Sequence, residues 1–261
     1  MRPLDSSRTP FLAFPGPIAL AHRGGAAYAP NRGLENTRVA FASALALGAT
    51  HLETDVQASA DGVVFVFHDA HLDRLTAVSG ALASLPAERV RRARVGGREP
   101  IPELRDLLDE LPDALLNIDV KADAAVEPTA RAIADAGAVD RVCLASFSHR
   151  RLARLRALMP GVATSLSPQE IGLLRGGATR GLRATGARAG GRCVQVPPRW
   201  GPVPLVDARF VRHAHDLGLP VHVWTVDDAA EMTRLLDLGV DGIVSDRIDV
   251  LVPLLAERAA A

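Results

Sequence analysis

The chain has 261 residues, 48% hydrophobic and 23% charged, a globular composition long enough to bury a core without disulfides. Lys and Arg total 30 against 30 Asp and Glu, which excludes a global basic field for nucleic acid and an acidic tail. No apolar run approaches the roughly 18 residues that a membrane span requires.

At the N-terminus, Thr9–Ala21 carry no charge and end in Ala-Leu-Ala, which mimics a secretory cleavage site. Pro10, Pro15 and Pro17 interrupt that run, and cleavage after Ala21 would strip the first strand from its functional end, so no signal peptide is expected. Strands are then predicted at Ile18–His22, His51–Gln57, Val63–His68, Leu115–Lys121, Val142–Phe147, Ala163–Leu166, Cys193–Val196, Val221–Val226 and Gly242–Ser245. Between them, helical patterns cover Thr37–Leu47, Glu103–Leu111, Ala124–Ala136, Ser148–Met159, Asp207–Leu217 and Asp228–Leu238. Gly48, Gly137, Gly161, Gly218 and Gly239 stand where helices should stop.

Strand–helix alternation without a composition break argues for a parallel sheet wrapped by helices. About eight such units suit a single-domain TIM (β/α)8 barrel, with its core at about residues 18–255. A doubly wound open sheet is the competitor, but His22-Arg23-Gly24-Gly25-Ala26 lacks the spacing of a dinucleotide fingerprint. Residues Asp69–Pro102 are long for a connection and predict a small insertion or lid after the third strand. The basic run Arg89–Arg98 reads as an exposed loop or short helix, and His149–Arg156 as the wet face of an amphipathic helix. Cys143 and Cys193 lie in apolar runs and read as buried reduced thiols, which fits a cytoplasmic location.

Residues two apart in a strand share a face, and several strands carry polar pairs at that spacing near their carboxyl ends. These are Glu53 and Asp55, Asp119 and Lys121, and His222 and Trp224, with His22 ending the first strand and His68-Asp69 ending the Val-Val-Phe-Val-Phe run. A carboxylate in an apolar strand is costly to bury unless it is paired or bound to a cation. Three of them without cysteine favour a hard cation, Ca²⁺ or Mg²⁺ with Mn²⁺ a further candidate, over a structural zinc. His22 and His68 suit acid–base work near neutral pH, and Arg23 and Lys121 suit an anionic substrate. That combination describes phosphoryl chemistry.

The ordered set His22-Arg23-Gly24, Glu35-Asn36-Thr37, Glu53-x-Asp55, His68-Asp69, Asn117-Ile-Asp-Val-Lys121, Trp224-Thr225 and Gly239-Val-Asp-Gly-Ile-Val-Ser-Asp246 resembles the glycerophosphodiester phosphodiesterase family over nearly the whole chain. The resemblance implies a TIM barrel that uses a divalent cation to hydrolyse a glycerophosphodiester to glycerol 3-phosphate and an alcohol. It implies Glu53, Asp55 and Asp119 as metal ligands and His22 and His68 as general acid and base. Arg23 and Lys121 would hold the phosphate, and Trp224 would form a wall of the pocket. The family usually has Glu where this chain has Asp119, and Pro where it has Leu34, ahead of which a loop at Tyr28–Gly33 intervenes.

Each residue also has a structural reading: Glu53 and Asp55 paired with Arg23 or Lys121, Asp119 bridged to Lys121, and Trp224 a core ring. Glu35 either reaches the metal or favours the next helix, whose cap is Asn36 or Thr37. Asp246 either pairs with a basic residue at the barrel mouth or caps a loop; His51, His71 and His222 read as structural or solvated. The alternatives are a phospholipase C- or D-type lipid phosphodiesterase and a non-catalytic phosphate- or polyol-binding relative. With aromatics at 4%, no exposed aromatic patch for membrane docking is expected.

Overall fold

The computed structural model describes residues 9–176 and 191–260. The barrel strands are β1 (Ile18–His22), β2 (His51–Ala58), β3 (Leu115–Val120), β4 (Val142–Ala145), β5 (Ala163–Ser165), β6 (Gly191–Val196), β7 (Val221–Val223) and β8 (Gly242–Ser245). They pair in parallel in chain order, and β1 closes the ring by pairing with both β8 and β2. Their helices are α1 (Arg38–Leu47), α2 (Leu104–Glu110), α3 (Val126–Asp135), α4 (His149–Leu158), α5 (Pro168–Arg175), α6 (Ala208–His215), α7 (Ala229–Asp237) and α8 (Ile248–Ala260). This is the expected (β/α)8 barrel, since each strand must cover two apolar faces and a following helix covers the outer one.

Local chemistry starts and stops the helices as the sequence suggests. The Thr37 hydroxyl accepts from Ala40 N, which makes Thr37 the cap of α1, and Ser148, Asp207 and Asp228 cap α4, α6 and α7 in the same way. The five glycines expected at helix stops all take positive φ, Gly48 at 107° directly behind α1. Gly24 is needed for a different reason: a Cβ there would lie 2.8 Å from the Ala40 side chain, so the turn after β1 packs tightly onto α1.

At the N-terminal end of the barrel, the turn ahead of β1 inserts Phe11, which is fully buried with Leu20, Cys143 and Cys193. His51, the first residue of β2, holds it: the ring edge meets Phe11 at 4.8 Å, and Nε2 bonds to the Phe11 carbonyl at 2.9 Å. The Cys143 and Cys193 sulfurs are free and buried, 3.6 Å apart inside the barrel.

Three expectations change. The Val63–His68 run is not a barrel strand; only Val64–Val66 are extended, antiparallel to Val56–Ala58, because β2 overshoots the barrel and the chain folds back along it. The insertion that follows has its own apolar core of Phe65, Phe67, Leu72, Leu82, Val90 and Ile101, and contains the short helix Ala87–Arg92. The run His149–Arg156 is helical, but Arg156 does not lie on a wet face: it is buried in a two-pronged bond to Glu170, at 2.8 and 3.1 Å. Helices α5 and α8 were not expected. Among the described residues no helix is long and apolar enough to cross a membrane.

Candidate active site

Strand register assembles the polar cluster at the carboxyl ends of the first three barrel strands. His22 of β1 pairs with Glu53 of β2, and Asp55 of β2 pairs with Asp119 of β3, so their side chains share one face of the sheet. His68 is not on a barrel strand. The fold-back of Val64–Val66 returns it to the same rim, where Phe67 N donates to the Asp55 carbonyl at 2.9 Å and the Gln57 amide donates to the His68 carbonyl. All eight residues expected at the site line one cavity of about 510 Å³: His22, Arg23, Glu53, Asp55, His68, Asp119, Lys121 and Trp224.

Both histidines carry a carboxylate on Nδ1. The His22 Nδ1 lies 2.8 Å from Asp246 Oδ1, and the His68 Nδ1 lies 2.7 Å from Asp69 Oδ1. Such a bond fixes ring orientation and leaves Nε2 for the substrate. Asp246 is itself held, since its backbone N donates to Asp227 Oδ1 at 2.8 Å. Burial pushes the His22 imidazole down, but the Asp246 hydrogen bond and the Glu53 and Asp246 charges outweigh it and raise its pKa above the ordinary value. Asp69 is pulled down to about 2, chiefly by its hydrogen bond to Arg74.

The carboxylates share two cations. Lys121 Nζ donates to Asp119 Oδ2 at 2.6 Å and lies 2.8 Å from Asp55 Oδ1, while Arg23 Nε lies 3.4 Å from Asp55 Oδ2. The structural reading of these residues as ion pairs is therefore realised in this state. Glu53 differs: it accepts from the Arg23 backbone N at 3.2 Å, and its Oε2 lies 3.9 Å from His22 Nε2. Burial and then the Asp55 charge push its carboxyl up to about 7. Asp119, one methylene shorter than a Glu, is also raised by burial, and its Oδ1 is buried without a hydrogen-bond partner.

Some residues have roles that the sequence left open or did not suggest. Glu35 does not reach the carboxylate cluster; it bonds Arg23 at 3.0 Å and Arg74 at 2.8 and 2.9 Å, and so steers Arg23. Asn36 donates to Asp55 Oδ2 at 3.2 Å and accepts from the Thr54 hydroxyl at 2.7 Å. Asn36 and Arg23, at φ 58° and 50°, are the non-glycine residues with positive φ among those described. Both touch Asp55, so backbone strain is concentrated at the site. Below the cluster, the Gln195 amide donates to Asn117 Oδ1 at 2.8 Å across the cavity floor. Glu35, Asn36 and Asn117 stood in motifs; Arg74 and Gln195 depend on contacts remote in sequence.

The other side of the cavity overturns an expectation. Although aromatics are few, Trp200 and Phe147 stand at its rim, 67% and 62% exposed, with Val203 beside Trp200 at 59%. Phe147 meets Trp224 edge-on at 5.5 Å, and both rings line the cavity.

The model of the glycerophosphoryl diester phosphodiesterase family matches residues 22–250. A probable glycerophosphodiester phosphodiesterase 2 from Mycobacterium tuberculosis is 42% identical over 256 residues, covering 95% of this chain and 94% of that protein. A glycerophosphodiester phosphodiesterase from Caldanaerobacter subterraneus is 28% identical, covering 91% of this chain and 97% of that protein. Among solved structures, an Oleispira antarctica phosphodiesterase in complex with the product sn-glycerol-3-phosphate superposes with TM-score 0.75 at 21% identity, covering 92% of this chain and 97% of that one. The chain belongs to the glycerophosphoryl diester phosphodiesterase family.

Proposed function

We propose that this protein hydrolyses glycerophosphodiesters to glycerol 3-phosphate and an alcohol, with His22 and His68 as the acid–base pair. The observation that carries this reading is the pair of carboxylate-oriented histidines on one cavity with Arg23 and Lys121. One imidazole accepts the proton of the glycerol hydroxyl next to the phosphate as that oxygen attacks phosphorus. The other donates a proton to the departing alkoxide, so that the P–O bond to the alcohol breaks without releasing a strong base. Water then opens the ring, adding OH to phosphorus and H to the glycerol oxygen. Arg23 and Lys121 carry the positive charge that would face the phosphate oxygens.

Glu53, Asp55 and Asp119 fit a hard divalent cation, Ca²⁺, Mg²⁺ or Mn²⁺, in donor type and charge. Two observations support that fit: Asp119 Oδ1 is buried without a partner, and Glu53 is crowded up to about 7. Among the described residues no three acidic or histidine groups stand close enough to close on a cation, because Lys121 lies between Asp55 and Asp119. When bound, the cation supplies charge stabilisation to the phosphoryl oxygens. We also assign the protein to the cytoplasm, a location supported by its two free thiols.

The test is release of glycerol 3-phosphate from glycerophosphocholine by cation-loaded protein. Chelation should abolish it, and H22A and H68A should each lose about 10²–10⁴-fold in kcat. Full turnover by either folded variant would overturn the assignment of the pair.

A further inference from the structure

The two histidines of the site are supported differently. His22 ends one barrel strand and its partner Asp246 follows another, so the closed barrel holds both. His68 and Asp69 stand where the chain leaves the fold-back for the insertion. The Asp69 carboxylate that orients the His68 ring is gripped by Arg74 of the insertion, whose Nε donates to Oδ2 at 2.5 Å and Nη2 to Oδ1 at 3.2 Å. The same guanidinium holds a second carboxylate: Nη1 and Nη2 donate to Glu35 Oε2 and Oε1 at 2.9 and 2.8 Å. Glu35 Oε1 in turn accepts from Arg23 Nη1 at 3.0 Å. The result is an unbroken line of contacts, His68–Asp69–Arg74–Glu35–Arg23.

The insertion is built to place that guanidinium. Just before it, Leu72 is fully buried in the insertion core, and just after it the Leu75 carbonyl accepts from Gly96 N at 3.0 Å. Gly96, at φ 57°, also rests on the turn ahead of Glu35, where a Cβ would lie 2.8 Å from the Gly33 carbonyl oxygen. The segment bearing Arg74 is thereby seated against the segment bearing Glu35. At the far end of the line, Arg23 stands on left-handed backbone at φ 50°. Such a conformation persists only where neighbours over-determine it, and the Glu35 bond is one of those constraints.

Stability does not account for this arrangement. The Arg74 side chain is about half exposed, and exposed ion pairs contribute little to folding. Neither Arg74 nor the two carboxylates it grips lines the cavity, whereas the ends of the line, His68 and Arg23, both do. A guanidinium presents its donors in a fixed fork that can span two carboxylates at once, which a single ammonium on a flexible stem cannot reproduce. We propose that Arg74 is a positioning residue that locks His68, carried by the insertion, in register with Arg23, carried by the barrel. This rests on the hydrolytic reading above, and it gives the insertion a part in the reaction: it keeps the proton-transferring ring and the phosphate-facing cation at a fixed separation.

The experiment measures kcat and KM on glycerophosphocholine, and competitive inhibition by glycerol 3-phosphate, for cation-loaded wild type, D69N, E35Q, R74M and R74K. Loosening His68 should lower kcat, whereas loosening Arg23 removes binding shared by the ground and transition states and should raise KM. D69N should therefore lower kcat by about a hundredfold with KM near wild type. E35Q should raise KM and the inhibition constant by about tenfold with kcat near wild type. R74M should do both, while its urea midpoint stays close to that of wild type. R74K, charged but without the fork, should recover neither. A loss in kcat alone or in binding alone overturns the coupling of the two ends, and full recovery by R74K shows that charge suffices and overturns the fork. Should R74M not fold, R74K carries the same two readings; wild-type values in either folded variant overturn the proposal. Absence of turnover by wild type overturns the hydrolytic reading and this one with it, whereas turnover that R74M keeps in full overturns this one alone.

Discussion

Acidification should weaken this barrel through His51, and the size of the effect follows from its surroundings. The ring is fully buried, bonded through Nε2 to the Phe11 carbonyl and through Nδ1 to Thr50. Burial, and then the His222 charge, hold its pKa down at about 4 against the ordinary 6.5, with the Phe11 bond opposing. A histidine with a depressed folded pKa binds its proton more readily when unfolded, so stability falls as pH drops through 6.5 and the loss levels off below 4. The full loss is about 3 kcal/mol, and between about pH 7.5 and 5 it is about 2 kcal/mol. The assay is urea unfolding at both pH values for wild type and H51Q, whose amide can still reach the Phe11 carbonyl. Comparing the two removes the contributions of Glu53, Asp119 and the other titrating groups. Wild type should lose about 2 kcal/mol more than H51Q over this interval. Equal losses would show that the ring is protonated inside the barrel, and would refute the burial argument.

Three other expectations follow from the site and its supports. D246N should lower kcat/KM by about a hundredfold by loosening the His22 ring. Because the carboxylate favours the imidazolium, the limb of the pH–rate profile due to His22 should move to lower pH; an unmoved profile would show that Asp246 only closes the loop. R156M leaves Glu170 buried without its partner and should cost about 3–5 kcal/mol in urea unfolding, most of it recovered in R156M/E170L. A loss below about 1 kcal/mol would mean that water reaches the carboxylate. Cation binding near pH 6 should release about one proton from Glu53, held up to about 7, and affinity should fall as pH drops below that value. Titration calorimetry in two buffers of different ionisation enthalpy reads that proton, and identical heats would count against Glu53 as a ligand.

The barrel was legible because its eight parallel strands are short β-branched runs separated by capped helices. Their predicted ends agree with the structure to within two residues, the usual spread at element boundaries, except that β7 stops at Val223 rather than Val226. The Val63–His68 run could not be told from a barrel strand by composition, since its rings are buried in the insertion core; its antiparallel pairing is a tertiary fact. Helix α8 contains Pro253, which obscures a helical pattern, whereas the start of α5 was written in Ser167 and Glu170, a capping box. At the site, the charged side chains were visible through two-residue spacing at strand ends. Asp246 was visible only as an alternative, because it lies 224 residues from His22 and the barrel must close to join them. The aromatic rim escaped because composition counts rings without saying where a fold gathers them.

The charged groups and the aromatic rim of the cavity come from different stretches of the chain, which has a consequence for how such a protein can change over time. Every charged group proposed to act on the phosphate lies between His22 and Lys121, whereas much of the apolar lining, Phe147, Leu166, Ile171, Val196, Trp200 and Leu205, comes from later in the chain. Phe147, Trp200 and Val203 stand largely in water, so replacing them disturbs little packing. Drift along the second stretch can therefore retune which molecules enter while the first stretch stays under constraint. Descendants of this barrel would then differ in diet long before they differ in chemistry.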